Sequence, residues 1–544
     1  MFKVFTSGFW EAVARLILRN RIVILIMIGL GTALMVSQWN KMRFSYTEAN
    51  LLPDQHHVNL DYNTFLDIFG EEGNIIVLGV KDSTLLTAQN FNAWNSFSKS
   101  IEKNENIEAV ITLQDLKKLI KDQKKQQFIF EPIVNDSIRS NDELEQLQSS
   151  LFSDFPFYDE VLYNKDSKAI RTIIYLKKSI VNTSARKEFI TEVLIPKIKA
   201  FEAATKMNVR ASGMPYVRTL NSQNIIDEIE IFILAAILIT SLIFYLFFRS
   251  YRATFISMFV VVIGVMWTFG ILGLLEYEIT VLTALIPPLI IVIGIPNCIF
   301  LINKYQHEVN KHGNKAKSLQ RVITKVGNAT LMTNTTTASG FATFVITQSK
   351  LLTEFGTVAS LSIMAIFVLC LLIIPIIYSF MPMPKEKHLE HLNRQWINRL
   401  GDWIEKTVKH KSITIYSFSL ILLITSIIGI YQIETTGSLL EDMPKSAEFF
   451  KDIEFYEKEF NGVMPLEILV NTKRKKGVLK RSTLKRMNEL ELLIEDIPEL
   501  SKPISIVGLV KYAKQAYYNG NPKYYQLPTA QENTFILSYA KNTT

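Results

Sequence analysis

Cysteine is nearly missing from this chain of 544 residues, and its two copies, Cys298 and Cys370, both fall inside long apolar runs. That excludes a disulfide framework for the polar regions, and it makes the two thiols small hydrophobes in helices rather than redox groups. A phosphate-binding glycine loop is also missing, so no ATPase is encoded here. No nucleophile sits beside a base in a recognisable context, and an enzyme is not expected. His56-His57 have no further ligands nearby to complete a metal site and read as solvent-exposed. No metal and no cofactor are expected. The last absence concerns the apolar runs themselves, which carry no Asp, Glu, His or Lys near their middles. An ionisable group there would be a functional candidate by default.

What the chain does have is apolar runs of membrane-crossing length. A bilayer core of about 30 Å needs about 20 such residues in a helix. Spans are predicted at 22–38, 229–248, 253–275, 279–302, 330–347, 352–381 and 412–431. The fifth is rich in Thr and Ser, whose hydroxyls can bond their own backbone or a neighbouring helix, so it is expected inside the bundle. The N-terminus has no cleavable signal pattern, and the first span reads as a retained anchor. The formal net charge is +8. The basic residues cluster beside the spans, which argues against nucleic acid as a partner. Arg15, Arg19, Arg249, Arg252, Lys304, Lys311, Arg321, Lys325, Lys385 and Lys409 fall in alternate loops. The positive-inside rule then puts the N-terminus and these loops in the cytoplasm and both large polar regions outside it.

This gives a domain plan. Residues 1–21 form a cytoplasmic or interfacial helix, 22–38 the first span and 39–228 a first extracytoplasmic domain. Residues 229–381 form a bundle of five spans, 382–411 an interfacial linker, 412–431 the seventh span and 432–544 the start of a second extracytoplasmic domain. The N-terminal helix carries Phe2, Phe5, Phe9, Trp10, Val13 and Leu16 at helical spacing; the linker carries Leu389, Leu392, Trp396, Leu400, Trp403 and Ile404. Both patterns suit a helix lying in the headgroup plane, and the linker equally suits a packed cytoplasmic connection. Asp227, Glu228 and Glu230 read as an acidic helix start favoured by the helix dipole.

The first polar domain reads as strand 74–80, helix 87–103, strand 107–113, a charged and less regular stretch 114–168, strand 169–176, helix 185–204 and strand 209–212. A helical piece lies near 142–151, and Pro196 should kink the later helix. The order β-α-β…β-α-β is the split βαβ plan of ferredoxin-like α+β domains. The second polar domain opens in the same way. Asn50-Leu51-Leu52-Pro53-Asp54 is echoed by Ser438-Leu439-Leu440-Glu441-Asp442, the run Phe65–Phe69 by Phe455–Phe460, and strand-like 75–80 by 466–470. The ordered series points to internal duplication with an incomplete second half. The chain is expected to be truncated at Thr544.

Several segments resemble the resistance–nodulation–division superfamily, in its MMPL and sterol-sensing-like branch. They are Gly213-Met214-Pro215, the loop Phe247-Phe248-Arg249-Ser250-Tyr251-Arg252, the run Thr333 to Phe341, Glu354-Phe355-Gly356 and Pro375. The resemblance implies an inner-membrane transporter with twelve spans when complete. It would export or move lipids, sterol-like molecules or other hydrophobic cargo, often driven by protons. Members usually relay protons through an Asp in the fourth span, often followed by Tyr. Here Pro296 stands in the Asp register and Asn297 in the Tyr register, within Gly294-Ile295-Pro296-Asn297-Cys298, and neither titrates near neutral pH.

Pro296 cannot donate to the Val292 carbonyl, and Pro287-Pro288 would repeat the disruption about two turns earlier. With Gly294 they predict a kinked fourth span. Asn297 can satisfy a freed carbonyl or reach Asn334, Thr335 or Thr336 on the fifth span. Two readings stand for this group: a broken helix that holds a cation, relays water or gates, and a kink satisfied by structural Asn and Thr contacts. The functional alternatives to a transporter are a non-transporting lipid-sensing scaffold and an accessory factor for protein or lipoprotein translocation. Expected partners are membrane lipids, the hydrophobic cargo, a second copy or envelope proteins.

Overall fold

A computed structural model describes residues 7–45, 52–53, 55–69, 73–134, 138–155, 157–383, 395–433, 445, 448–462, 466–475, 477–498 and 500–542. The chain divides into two compact units, one of residues 1–60 and 224–437, the other of 61–223 and 438–544. In chain order the elements are α1 (Ser7–Arg19), α2 (Arg21–Ser37), β1 (Arg43–Phe44), α3 (His57–Phe69), β2 (Ile75–Val80), α4 (Ala88–Glu102), β3 (Ile107–Ile111), β4 (Lys117–Asp122), β5 (Gln127–Pro132), α5 (Asn141–Asp154), β6 (Ile170–Leu176), α6 (Ser184–Glu188), α7 (Ile195–Thr205) and β7 (Arg210–Ser212). Then follow α8 (Met214–Phe248), α9 (Tyr251–Leu274), β8 (Glu278–Ile279), α10 (Val281–Ala284), α11 (Ile286–His312), α12 (Lys315–Ala342), α13 (Lys350–Phe380), α14 (Gln395–His410), α15 (Ser412–Tyr431), α16 (Glu448–Phe460), α17 (Arg481–Glu495), α18 (Ile506–Tyr517) and α19 (Ala530–Asn542).

In the helical unit α9, α11, α12 and α13 pack on one another and α2 packs on α9. Among the described residues six helices are long and apolar enough to cross a membrane: 21–41, 214–248, 251–274, 282–312, 350–380 and 412–431. The predicted span 330–347 is not among them. It falls in α12 and the turn Thr343–Ile346, where Thr and Asn lower the hydropathy. Nor is that helix wholly enclosed, because Asn334 and Ala338 are buried while Thr335 and Thr336 are exposed. Exposed Thr333 and Thr336 and half-buried Thr337 each donate to the carbonyl four residues earlier.

α1 differs from the expected headgroup helix. Trp10, Ala14 and Ile17 are buried and the helix packs on α12 and α13, while Phe9 and Leu16 stay exposed. Its best-covered stripe is therefore turned by about one residue from the predicted one. Phe2, Phe5, Leu389 and Leu392 lie outside the described residues. The three acidic residues Asp227, Glu228 and Glu230 do not start a helix. α8 begins at Met214, so they lie well inside it and the dipole argument fails.

The second unit is built on a four-stranded antiparallel sheet in the order β3-β6-β2-β7. Alternation along β6 gives it two faces. Ile170, Thr172, Ile174 and Leu176 are buried on one, where the Thr172 hydroxyl meets Ser98 of α4 at 3.2 Å. Arg171, Ile173 and Tyr175 occupy the other. Helix α4 starts at the Thr87 cap, whose hydroxyl accepts the Asn90 N–H, and buries Phe91, Trp94 and Phe97. Each such side chain contributes about 1.5–3 kcal/mol on burial. The irregularity comes before Pro196: a π turn at Phe189–Leu194 widens the backbone, and Pro196 is the second residue of α7. The stretch read as irregular contains the β4–β5 hairpin, turned by Asp122 accepting the N–H groups of Lys124 and Lys125.

Residues from beyond 438 complete this unit. On α16, Phe449, Ile453, Tyr456 and Phe460 are buried. Asp452 pairs with Arg210 of β7 at 3.0 Å, and the Tyr456 hydroxyl donates to the Arg210 carbonyl at 2.9 Å. Glu459 pairs with Lys81 at 2.7 Å. The run 466–470 forms no strand and is exposed. β2 takes its neighbours β6 and β7 from later in the chain, and no equivalent strands lie among the described residues after 470. Asn50, Leu51, Asp54 and the run 438–442 fall outside the described residues.

The end of α18 and the start of α19 are joined by Glu532, which accepts from Thr529 N at 2.7 Å and Tyr518 Oη at 2.8 Å and pairs with Lys514 at 3.0 Å. The Thr529 N–H does most to lower this carboxyl. Burial opposes it, the Thr529 hydroxyl, Lys514 and Tyr518 add to it, and the result is about 2. A depressed acid stabilises the fold above its unfolded value and loses that contribution as pH falls. Hydrogen-exchange protection in α18 and α19, taken relative to the intrinsic rate at each pH, is therefore expected to fall between about pH 4.5 and pH 2, and Glu532→Gln to flatten that dependence. Unchanged protection across that range in the native chain would contradict it.

Candidate functional site

Pro296 lies inside α11, where the helix must do without one N–H. The next residue, Asn297, is buried and faces buried Asn334 of α12. Their amides bond reciprocally: Asn297 Nδ2 donates to Asn334 Oδ1 at 3.0 Å, and Asn334 Nδ2 donates to Asn297 Oδ1 at 2.8 Å. The second N–H of each turns back to its own helix, Asn297 to the Ile293 carbonyl at 3.4 Å and Asn334 to the Thr330 carbonyl at 2.7 Å. A primary amide has two donors, so all four are used. The pair is neutral, and neither member can take up or release a proton near neutral pH. Asn297 thus meets Asn334, one of its three predicted partners; Thr335 and Thr336 point elsewhere.

Pro287 and Pro288 accompany a break in the fourth span, between Ala284 and Ile286. They sit in the first turn of α11, just past the break at Leu285, where a missing N–H has no intrahelical partner to lose. Gly294 is a contact point: a Cβ there would lie 3.1 Å from Val261 Cγ2 of α9 and 3.5 Å from Ile366 Cγ1 of α13. One residue after Asn297, Cys298 is buried with its Sγ 3.7 Å from that of Cys370 on α13; both are free thiols.

Sequence reading missed Glu308. It lies at the end of α11 with its side chain 3% exposed, surrounded by Lys304 at 3.3 Å, Arg321 at 3.2 Å, Lys325 at 3.4 Å and His312 at 3.6 Å. The signal was present as Lys304, Glu308 and His312 at successive i,i+4 positions. His56 is half-buried and His57 exposed, their rings 4.5 Å apart, and no His, Cys, Asp or Glu group suited to a metal occurs among the described residues.

A second feature lies in the sheet-containing unit. A cavity of about 490 Å³ opens beside the face of β6 that carries Arg171, Ile173 and Tyr175, with Phe157, Phe460 and Tyr525 around it. Arg171 donates to the carbonyls of Val161 and Glu160 and lies 4.7 Å from the Phe460 ring. Burial lowers its ionisation to about 10, so it remains charged at neutral pH.

These features define a polytopic, mostly helical membrane protein with a large domain built on an antiparallel sheet. The chain belongs to the MMPL family, which it matches over residues 80–407, more than half its length. It is also similar to a protein of Methanocaldococcus jannaschii described as a membrane protein, with 30% identity over 170 residues, 31% of this chain and 44% of that relative. The match spans less than half of the relative's length.

Proposed function

We propose that this protein is a transporter that moves lipids or other hydrophobic molecules across or out of the cell's inner (plasma) membrane. The carrying observation is the reach of the family match, which runs through both the cavity-bearing domain and the helix bundle. In this reading the N-terminus is cytoplasmic and the sheet-containing domain lies outside. The strand order β3-β6-β2-β7 with its two crossover helices supports a ferredoxin-like domain. The matched 13-residue helices α3 and α16, ending at Phe69 and Phe460, support duplication. Neither an enzymatic reaction nor a nucleic-acid partner is part of the proposal. The cavity would receive the cargo, and the bundle would supply the conformational change.

A second reading rests on a specific observation. The fourth span carries Pro296 and a closed, neutral amide pair where a proton relay would need an ionisable group. That favours a lipid-binding scaffold. The protein reconstituted in liposomes with a fluorescent fatty acid is expected to move the probe under an imposed pH or sodium gradient. Probe binding without movement under either gradient would overturn transport in favour of the scaffold.

A further inference from the structure

The helical unit carries an open groove of about 460 Å³, lined on α9 by Tyr251, Arg252, Phe255 and Phe259 and on α13 by Ile377 and Met381. Both helices are long and apolar enough to cross a membrane, so the groove opens to the bilayer rather than to water. Tyr251, Phe255 and Phe259 recur every four residues and all are exposed, which makes an aromatic ladder along one side of α9. At 1.5 Å per residue the ladder runs about 12 Å. That is close to half of the roughly 30 Å bilayer core, the depth of one leaflet. The groove is apolar except at one end. Arg252, the second residue of α9, is exposed there. Lys315 donates to the carbonyl of Met381, a lining residue, at 2.6 Å, and Arg21 donates to Ser379 Oγ at 3.1 Å. Both acceptors are neutral, so both charges persist. Among the described residues none of these three cations is ion-paired. Basic pockets between membrane helices hold anionic headgroups, and an arginine can meet a phosphate with two parallel hydrogen bonds. A second copy of the chain seated here symmetrically would instead bring two sets of these cations together at one membrane depth.

We propose that this groove holds one anionic phospholipid of the adjoining leaflet, with its phosphate at Arg252 and an acyl chain along Tyr251, Phe255 and Phe259. Lys315 and Arg21, at the same end of α13, add to the field that draws the head in. The bound lipid ties the start of α9 to the end of α13 and is a resident of the fold rather than cargo. The inference needs only insertion in a bilayer. It stands apart from the transport reading, and flux, present or absent, does not bear on it.

The test is photolabelling of the whole protein in phosphatidylcholine nanodiscs that contain a small fraction of phosphatidylglycerol with a diazirine in one acyl chain, followed by peptide mass spectrometry. Adducts are expected at 251–259 and 377–381, at least fivefold above those on α15, which has no buried residues and reports ordinary contact with bulk lipid. The same diazirine on phosphatidylcholine should label the two places alike. Arg252→Gln is expected to lower groove labelling by the anionic probe at least threefold, and Arg252→Lys to keep most of it. Ile377→Trp, which leaves the three cations in place and fills the groove, should lower labelling there by both probes. Equal groove labelling by the two probes in the native chain would overturn the proposal whether or not a variant folds, as would native labelling of Arg252→Gln or Ile377→Trp. Displacement of the anionic probe by added dodecanoate would overturn it in favour of a cargo site, and a groove that neither probe labels would overturn it in favour of a protein occupant.

Discussion

Gly273→Val in α9 is expected to separate the first membrane helix from the bundle and to lower the thermal stability of the helical unit by several degrees or more. A Cβ at Gly273 would lie 2.2 Å from the Gln38 carbonyl oxygen and 2.8 Å from its carbon; one turn earlier, a Cβ at Gly270 would lie 2.4 Å from Met35 Cβ and 2.8 Å from its Cα. Three of these four are main-chain atoms, so no side-chain rotation relieves the clash. Overpacking a side chain costs about 1–3 kcal/mol, and a clash with main chain exceeds that because a whole helix must move. Lipid offers little compensation: hydrocarbon tails are as apolar as the helix surfaces, and association there depends on close packing and hydrogen bonds. Moving α2 would also break Trp267 Nε1–H to Thr32 Oγ1 at 2.9 Å and Trp39 Nε1–H to the Met266 carbonyl at 3.3 Å. Gly29→Ala on α2 is the control, since nothing lies within 4 Å of its Cβ position, and it should melt like the native chain. A Gly273→Val protein with native melting would show that the two helices do not approach this closely.

The same physics explains what the sequence could and could not reveal. Long apolar runs announce themselves by length alone, and six were legible. α12 was legible as a helix but not in its orientation, because threonines that bond their own backbone suit an exposed face as well as a buried one. The strands at 75–80 and 170–176 were readable from β-branched runs. The β4–β5 hairpin was hidden by its lysines, and only the Asp122 turn pointed to it. Pro287 and Pro288 marked a discontinuity in the fourth span but not its form. Pro287 and Pro288 mean disruption inside a helix and initiation at its first turn, and the break at Leu285 carries no strong local signal. The cavity could not be read at all, since its walls come from segments more than 300 residues apart, Arg171 on β6 and Tyr525 near the chain end.

Asn297→Leu alone is expected to cost about 1–2 kcal/mol of bundle stability, and Asn297→Leu with Asn334→Leu clearly less than the two single changes added together. The single change leaves Asn334 with an unpaired Nδ2 donor and Oδ1 acceptor in a buried place. A stranded polar group costs about 1–3 kcal/mol, whereas replacing both partners by apolar groups can be nearly neutral. Interhelical hydrogen bonds in membranes average about 0.6 kcal/mol and reach about 1.7 kcal/mol, which sets the lower end of the estimate. A double-mutant cycle read by thermal unfolding isolates the coupling. The same four proteins then decide what the pair is for. Every amide N–H is already spent within α11 and α12, so the pair acts as a clamp between the two helices beside Pro296, and on the proposed transport reading the double variant should keep native cargo flux once its stability returns. A double variant that melts normally yet transports nothing would reverse that assignment. It would make the amide oxygens part of an ion or water path, and the missing acid in the fourth span would then be replaced by a neutral polar pair rather than simply lost.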